Sequence, residues 1–172
     1  MTTLALPAAR TRRNAAPRVL DADRLGDHLD RLYRAALGLT GSPADAEDLV
    51  QDTYMRVLAK PRFVTGPDDL GYLLRVLRNT FISGRRTAAR RPATATAPED
   101  LERFEARAAD PERALEASQL YASIAGLPDH QRDALVAVDL LGLSYKEAAA
   151  SLKVPTGTIM SRLFRARQAL AA

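Results

Sequence analysis

Apolar residues in this 172-residue chain recur at steps of three and four wherever a stretch is long enough to show a period, and no strand signal of any length appears. One interruption divides the pattern. Residues 92–111 hold Pro92, Pro98 and Pro111 and an Ala-Thr repeat, with little to bury, which is linker composition. A chain of this length is one medium domain or two small ones. The interruption favours two, so the expected fold class is all-α: two small helical domains joined by a flexible linker. No long-period repeat supports a solenoid.

The helices can be placed individually. Leu25, Leu29, Leu32, Ala36 and Leu39 form one expected buried face. Gly41-Ser42-Pro43 then closes one helix and opens the next. Ser42 is suited to cap, Pro43 suits the first helical position, and Asp45, Glu47 and Asp48 complement the helix dipole. Ala46, Leu49, Val50, Thr53, Tyr54, Val57 and Leu58 are the expected stripe of that second helix. After a loop over 61–67, a third helix from Asp68 to about Arg86 buries Leu70, Leu73, Leu74, Leu77 and Phe81. The second unit runs from about Arg113 to the end, punctuated at Gly126-Leu127-Pro128 and at Gly142.

Composition excludes several chemistries. With no cysteine there is no disulfide framework, Cys-ligated zinc, iron–sulfur cluster or thiol nucleophile, and the two histidines, His28 and His130, are too few for most other transition-metal sites. No metal, cofactor or catalytic residue is expected, since no Gly-rich phosphate loop or nucleophile–base pair occurs. No run approaches the roughly 18–20 apolar residues that span a bilayer, and Leu4-Ala5-Leu6 is cut short by Pro7. The expected setting is therefore cytoplasmic, without membrane insertion.

The net charge of +4 hides a segregation. Residues 1–20 carry +4, 62–91 carry +5 and 156–172 carry +3, whereas 21–58 and 92–117 each carry −4. Separated basic blocks are the footprint of a protein that lies along phosphates. Acidic blocks suit protein partners. Residues 1–20, without periodicity, read as a disordered basic arm.

Two constellations carry function. Residues 143–152 read as a short helix, Lys153-Val154-Pro155 as a tight turn, and Thr156 as the cap of a last helix to about Leu170. Ala148 and Ala149 permit a close crossing, which Leu152, Val154, Ile159, Leu163 and Ala166 fix: a helix-turn-helix. Its outward face presents Ser161, Arg162, Phe164, Arg165 and Gln168, suited to phosphates, guanine edges and thymine methyls. The other constellation is the third helix, whose outer stripe Tyr72, Arg75, Asn79, Ser83 and Arg86 is flanked by Arg78, Arg85, Arg90 and Arg91. On its own, such a basic helix also suits a membrane surface or a partner helix.

The block Leu39–Thr53, the later Leu77-Arg78-Asn79-Thr80 and the segment Val154–Arg167 together resemble bacterial RNA polymerase sigma factors of the extracytoplasmic-function (ECF) group. The resemblance covers about Asp23 to Ala172. It implies a σ2 domain over 21–91, a linker over 92–112 and a σ4 domain over 113–172. It implies that Asp48, Gln51, Asp52 and Met55 face the clamp helices of the polymerase β′ subunit, with the β flap and an anti-sigma factor as further partners. By the same matching Phe63, Tyr72, Arg75, Arg78, Asn79, Arg85 and Arg86 lie on the −10 element of promoter DNA. Thr158, Ser161, Arg162, Phe164, Arg165, Arg167 and Gln168 lie on the −35 element. Two departures stand out. Met160 occupies a position often Lys or Arg, and Tyr72 one where Trp is common.

The expected function is thus promoter-specific transcription initiation. The alternatives are a sigma-like decoy that binds an anti-sigma factor without touching DNA, and a stand-alone helix-turn-helix regulator.

Overall fold

The computed structural model describes residues 18–20, 23–59, 63–64, 69–90 and 111–171. The stretch 1–17, most of the 61–67 loop and the whole of 92–110 lie outside the described residues, and with them the expectations of a basic arm and a linker.

Seven α-helices make up most of the described chain: α1 Leu29–Thr40, α2 Pro43–Leu58, α3 Leu70–Arg90, α4 Pro111–Gly126, α5 Asp129–Leu135, α6 Tyr145–Leu152 and α7 Thr156–Ala171. The all-α class holds. One element was not anticipated: β1 Arg18–Val19 pairs antiparallel with β2 Phe63–Val64, Arg18 opposite Val64 and Val19 opposite Phe63. Two residues a side are too few to leave an alternation in the sequence. The ordered pairing corrects the expected arm at its end, since 18–20 are folded against the first unit and Leu20 packs on the core.

The α1–α2 junction follows the local chemistry. Gly41 adopts φ 74°, a left-handed conformation that glycine enters without a Cβ penalty, and its N–H donates to the Leu37 carbonyl at 2.7 Å. Ser42 caps α2, its Oγ accepting from the Asp45 N–H at 3.4 Å, with Pro43 first in the helix. Two apolar assignments change. A 3-10 turn over Asp23–His28 precedes α1 and shifts the helical phase, so Leu25 and Leu32 are buried while Leu29 is 47 % exposed. Leu58 was expected in the stripe of α2 but is 57 % exposed at its last turn.

α1 is the hub. Its C-terminal half is buried on nearly every side, with Ala35, Ala36, Leu37, Gly38 and Leu39 all enclosed. One side meets α2 and α3, the other α4 and the π-helical turn Val136–Leu140 that continues α5. Close approach is possible because position 38 lacks a side chain: a Cβ there would lie 2.5 Å from Leu140 Cδ1 and 3.1 Å from Val136 Cγ2. One core runs from Leu32, Leu70 and Leu77 through Val136 and Leu141 to Ala148 and Ile159, so the two units share a continuous apolar interior. A smaller cluster of Ile124, Leu127, Leu135, Leu163 and Ala166 lies beneath α7.

Candidate nucleic-acid interface

The helix-turn-helix is built by local signals. Ser144 and Glu147 form a reciprocal capping box at the start of α6: the Glu147 N–H donates to Ser144 Oγ, and the Ser144 N–H donates to Glu147 Oε2 at 2.8 Å. Lys153 closes α6 in the left-handed region, φ 56°, and Pro155 leads into α7. The Pro155 carbonyl accepts from the Thr158 and Ile159 N–H groups, so Thr156 is the first residue of the helix rather than its cap. Ala148, Ala149, Ile159, Leu163 and Ala166 are buried at the crossing.

This packing leaves Gly157, Met160, Ser161, Phe164, Arg165 and Gln168 exposed on one side of α7. Thr158 and Arg162 are half-buried, and the Ser161 hydroxyl donates to the Thr158 carbonyl. Phe164 is 62 % exposed, so it is not a core residue. Arg167 is engaged within the protein. Its guanidinium donates to both Asp139 oxygens, at 3.1 and 2.7 Å, and that bidentate bond with the adjacent negative charge raises its pKa further. Asp139 is presented by the π-helical turn.

α3 sorts its basic residues into two stripes. Arg75, Asn79 and Arg86 are exposed along one side, with the Arg75 guanidinium 5.9 Å from the centroid of half-buried Tyr72. Tyr72 also packs against the core. Arg78 and Arg85 turn instead toward the second unit. Arg78 Nε donates to Asp133 Oδ2 at 2.6 Å, and Arg85 to Asp129 at 3.2 Å. Arg132, itself buried, completes this seam: it donates to the Ala125 carbonyl and to Asp129, and stacks 5.3 Å over the Phe81 ring. Two opposite pKa shifts result. Burial raises that of Asp133, against the pull of Arg78 and Arg132. For Asp129 the desolvation is outweighed by Arg132 and Arg85 together, which lower it. The side chain of Phe63 lies outside the described residues.

On α2, the residues Asp48, Gln51, Asp52 and Met55 are all exposed along one line, as expected. Met55 is 66 % exposed, and Leu58 extends the same line by three residues. The sequence assigned Leu58 to the buried stripe because the apolar period continues to the helix end, where no described residue covers it. Among the described residues no cluster of His, Asp or Glu is arranged to hold a metal, and no helix is long and apolar enough to cross a membrane.

Comparison with known proteins decides the family. Residues 25–91 match Sigma-70 region 2, and residues 117–170 match Sigma-70, region 4. The chain belongs to the ECF RNA polymerase sigma factors. It is 35 % identical over 175 residues to the probable RNA polymerase sigma-C factor of Mycobacterium bovis, covering all of this chain and 90 % of that one. It is 39 % identical over 147 residues to the ECF sigma factor SigE of Mycolicibacterium smegmatis, spanning 83 % of this chain but only 57 % of that longer relative. Among solved structures, the sigma factor RpoE of Bartonella quintana, crystallised with the anti-sigma factor NepR, superposes with a TM-score of 0.63 at 30 % identity. That match covers 87 % of this chain and 95 % of RpoE.

Proposed function

We propose that this sigma factor confers promoter specificity on a bacterial RNA polymerase, with residues 21–91 as σ2, 92–112 as linker and 113–172 as σ4. The observation that carries the reading is the outward face of α7, a helix-turn-helix reading helix whose exposed residues are chemically those of a major-groove reader. Ser161, Phe164 and Arg165 address base edges of the −35 duplex, Arg162 a phosphate. Arg75 and Asn79, exposed on α3, address the non-template strand of the −10 element, with Tyr72 as an aromatic surface beside them. Asp48, Gln51, Asp52, Met55 and Leu58 form the face for the β′ clamp helices, acidic with an apolar end. An anti-sigma factor is a further proposed partner, by likeness to the RpoE–NepR pair.

The shared core has a mechanistic consequence. Arg78 is held by the buried Asp133 of the second unit, so for it to reach DNA that contact must open and a phosphate must replace the carboxylate, whereas Arg85 pairs with Asp129 at an exposed surface and can swing to a phosphate directly. The protein acts on cytoplasmic polymerase and contributes no bond chemistry, which belongs to the polymerase. A decoy that never touched DNA would have no use for the exposed Arg75–Asn79–Arg86 stripe.

The test mixes the purified chain with core RNA polymerase and fragmented host DNA and maps transcript 5′ ends. New starts that share two spaced elements, lost on Asn79→Ala or Arg165→Ala, are expected. Stable polymerase binding without new starts supports the decoy; absence of polymerase binding overturns the sigma reading.

A further inference from the structure

α7 carries a feature that its packing does not use. Ile159, Leu163 and Ala166 complete the crossing with α6, and the residue after each of the first two, Met160 and Phe164, turns away from it. Both are more than half exposed, Met160 at 53 % and Phe164 at 62 %. They stand one helical turn apart and so form one apolar strip on a face otherwise made of Gly157, Ser161, Arg165 and Gln168. Gly157, at the start of the strip, has open space around its Cα, which lets another surface approach the first turn closely.

Charge selects the occupant. Residues 156–172 contain no acidic residue, and although Arg167 is paired with Asp139, Arg162 and Arg165 remain, in contrast to the acidic line beside Met55 on α2. A polyanion fits, and within the major groove of duplex DNA the one protruding apolar group is the C5-methyl of thymine. Residues 160 and 164 are separated by about 6 Å along the helix, on the order of two base steps of 3.4 Å. Resting on the −35 role proposed above, we infer that Met160 and Phe164 together form a thymine-methyl reader, making the upstream element of this sigma factor depend on one or two closely spaced thymines. Met160 is then a specificity-determining residue: it supplies an apolar contact where lysine or arginine would supply a polar one.

Replacing thymine by uracil removes the methyl and leaves the pairing edge intact. The full chain bound to core polymerase first selects duplexes from a library randomised upstream of a fixed −10 region. The selected element is then resynthesised with deoxyuridine at each thymine in turn. For the wild-type holoenzyme one or two substitutions should weaken binding about three- to fivefold, the effect of losing one buried methyl. Met160→Ala should abolish the penalty at one position and Phe164→Ala at the other, with unchanged thermal midpoints because both side chains are exposed. Met160→Lys should also abolish the uracil penalty at its position. Tolerance of uracil at every position, or a penalty that survives in both alanine variants, overturns the inference while leaving the sigma reading intact. If no shared element is selected at all, the sigma reading itself fails, and the inference with it.

Discussion

Arg78 Nε lies 2.6 Å from Asp133 Oδ2, linking α3 of the first unit to α5 of the second across 55 positions of sequence. The carboxylate is almost wholly buried and the guanidinium about one-third exposed. The pair therefore sits at the edge of the shared core, where desolvation is costly and screening incomplete. It makes one arginine of the expected DNA helix serve the contact between the units.

The raised pKa of Asp133 gives this pair a definite sign. A carboxyl whose folded pKa lies above its unfolded value binds more protons in the folded state across the interval between the two. Its contribution to stability therefore falls as pH rises through that interval, and the ionised group is a net cost above it. Asp133→Asn should leave the thermal midpoint at pH 7 unchanged or slightly raised and remove this acid-range component. Arg78→Ala, which leaves a buried carboxylate without its hydrogen-bond donor, should cost about 1–3 kcal/mol at pH 7. Asp129, with a lowered pKa, acts in the opposite sense, its contribution being present above the usual carboxylate range and lost as pH falls through its folded pKa. Thermal melts from pH 3 to pH 7 separate the two, and equal losses for Asp133→Asn and Arg78→Ala would refute the assignment.

Arg167 and Asp139 make a second such claim, on DNA affinity. The bidentate pair leaves Arg167 largely neutralised although it lies on an exposed part of α7. Asp139→Asn should release that charge to a phosphate. Binding to non-specific duplex should strengthen, and the slope of log K against log salt should steepen by about one. Fluorescence anisotropy across a salt series reads both, and an unchanged slope would show that Arg167 stays away from the phosphates even when released.

Much of the architecture was legible because it is written in local chemistry. The Gly41-Ser42-Pro43 junction, the α3 stripe of Leu70, Leu73, Leu74 and Leu77, and the Lys153–Pro155 turn each depend on residues within one or two turns of one another. What escaped the sequence depends on distant partners or on phase. Leu25 and Leu29 were read as one face, but the 3-10 turn that holds Leu25 breaks the four-residue period, and Leu29, the first residue of α1, is exposed. Arg75 and Arg78 are three residues apart on one helix, yet only the second finds a carboxylate across the seam. Arg167 was placed on the −35 element by resemblance, with no periodicity to show that a π-helical turn would bring Asp139 beside it.

On α2, Met55 and Leu58 stand on the line begun by Asp48, Gln51 and Asp52, and both are more than half exposed. Apolar side chains at the end of a polar partner face supply the area that a docking contact desolvates. Leu58→Asp and Met55→Asp should each weaken binding to core polymerase at least tenfold, while the thermal midpoint stays within about 1 °C because neither side chain supports the core. Duplex binding by α7 should be unaffected, so a gel-shift control separates partner docking from DNA reading.

Two glycines with opposite surroundings test the packing account. At Gly41 the backbone has φ 74° and an added Cβ would lie 2.9 Å from the Ala125 Cβ and 3.5 Å from the Ala122 Cα. Alanine there meets both a disfavoured backbone conformation and a neighbouring helix that cannot yield by rotating a side chain, so Gly41→Ala should destabilise by about 1–3 kcal/mol. Gly84 is in the interior of α3, with nothing within 4 Å of the added carbon. There alanine only removes backbone freedom from the unfolded chain, and Gly84→Ala should stabilise by about 0.5–1 kcal/mol. Chemical denaturation of the two variants should therefore move the midpoint in opposite directions. A shift of the same sign in both would mean that the close approach of α1 to α4 at Gly41 is not what the substitution senses.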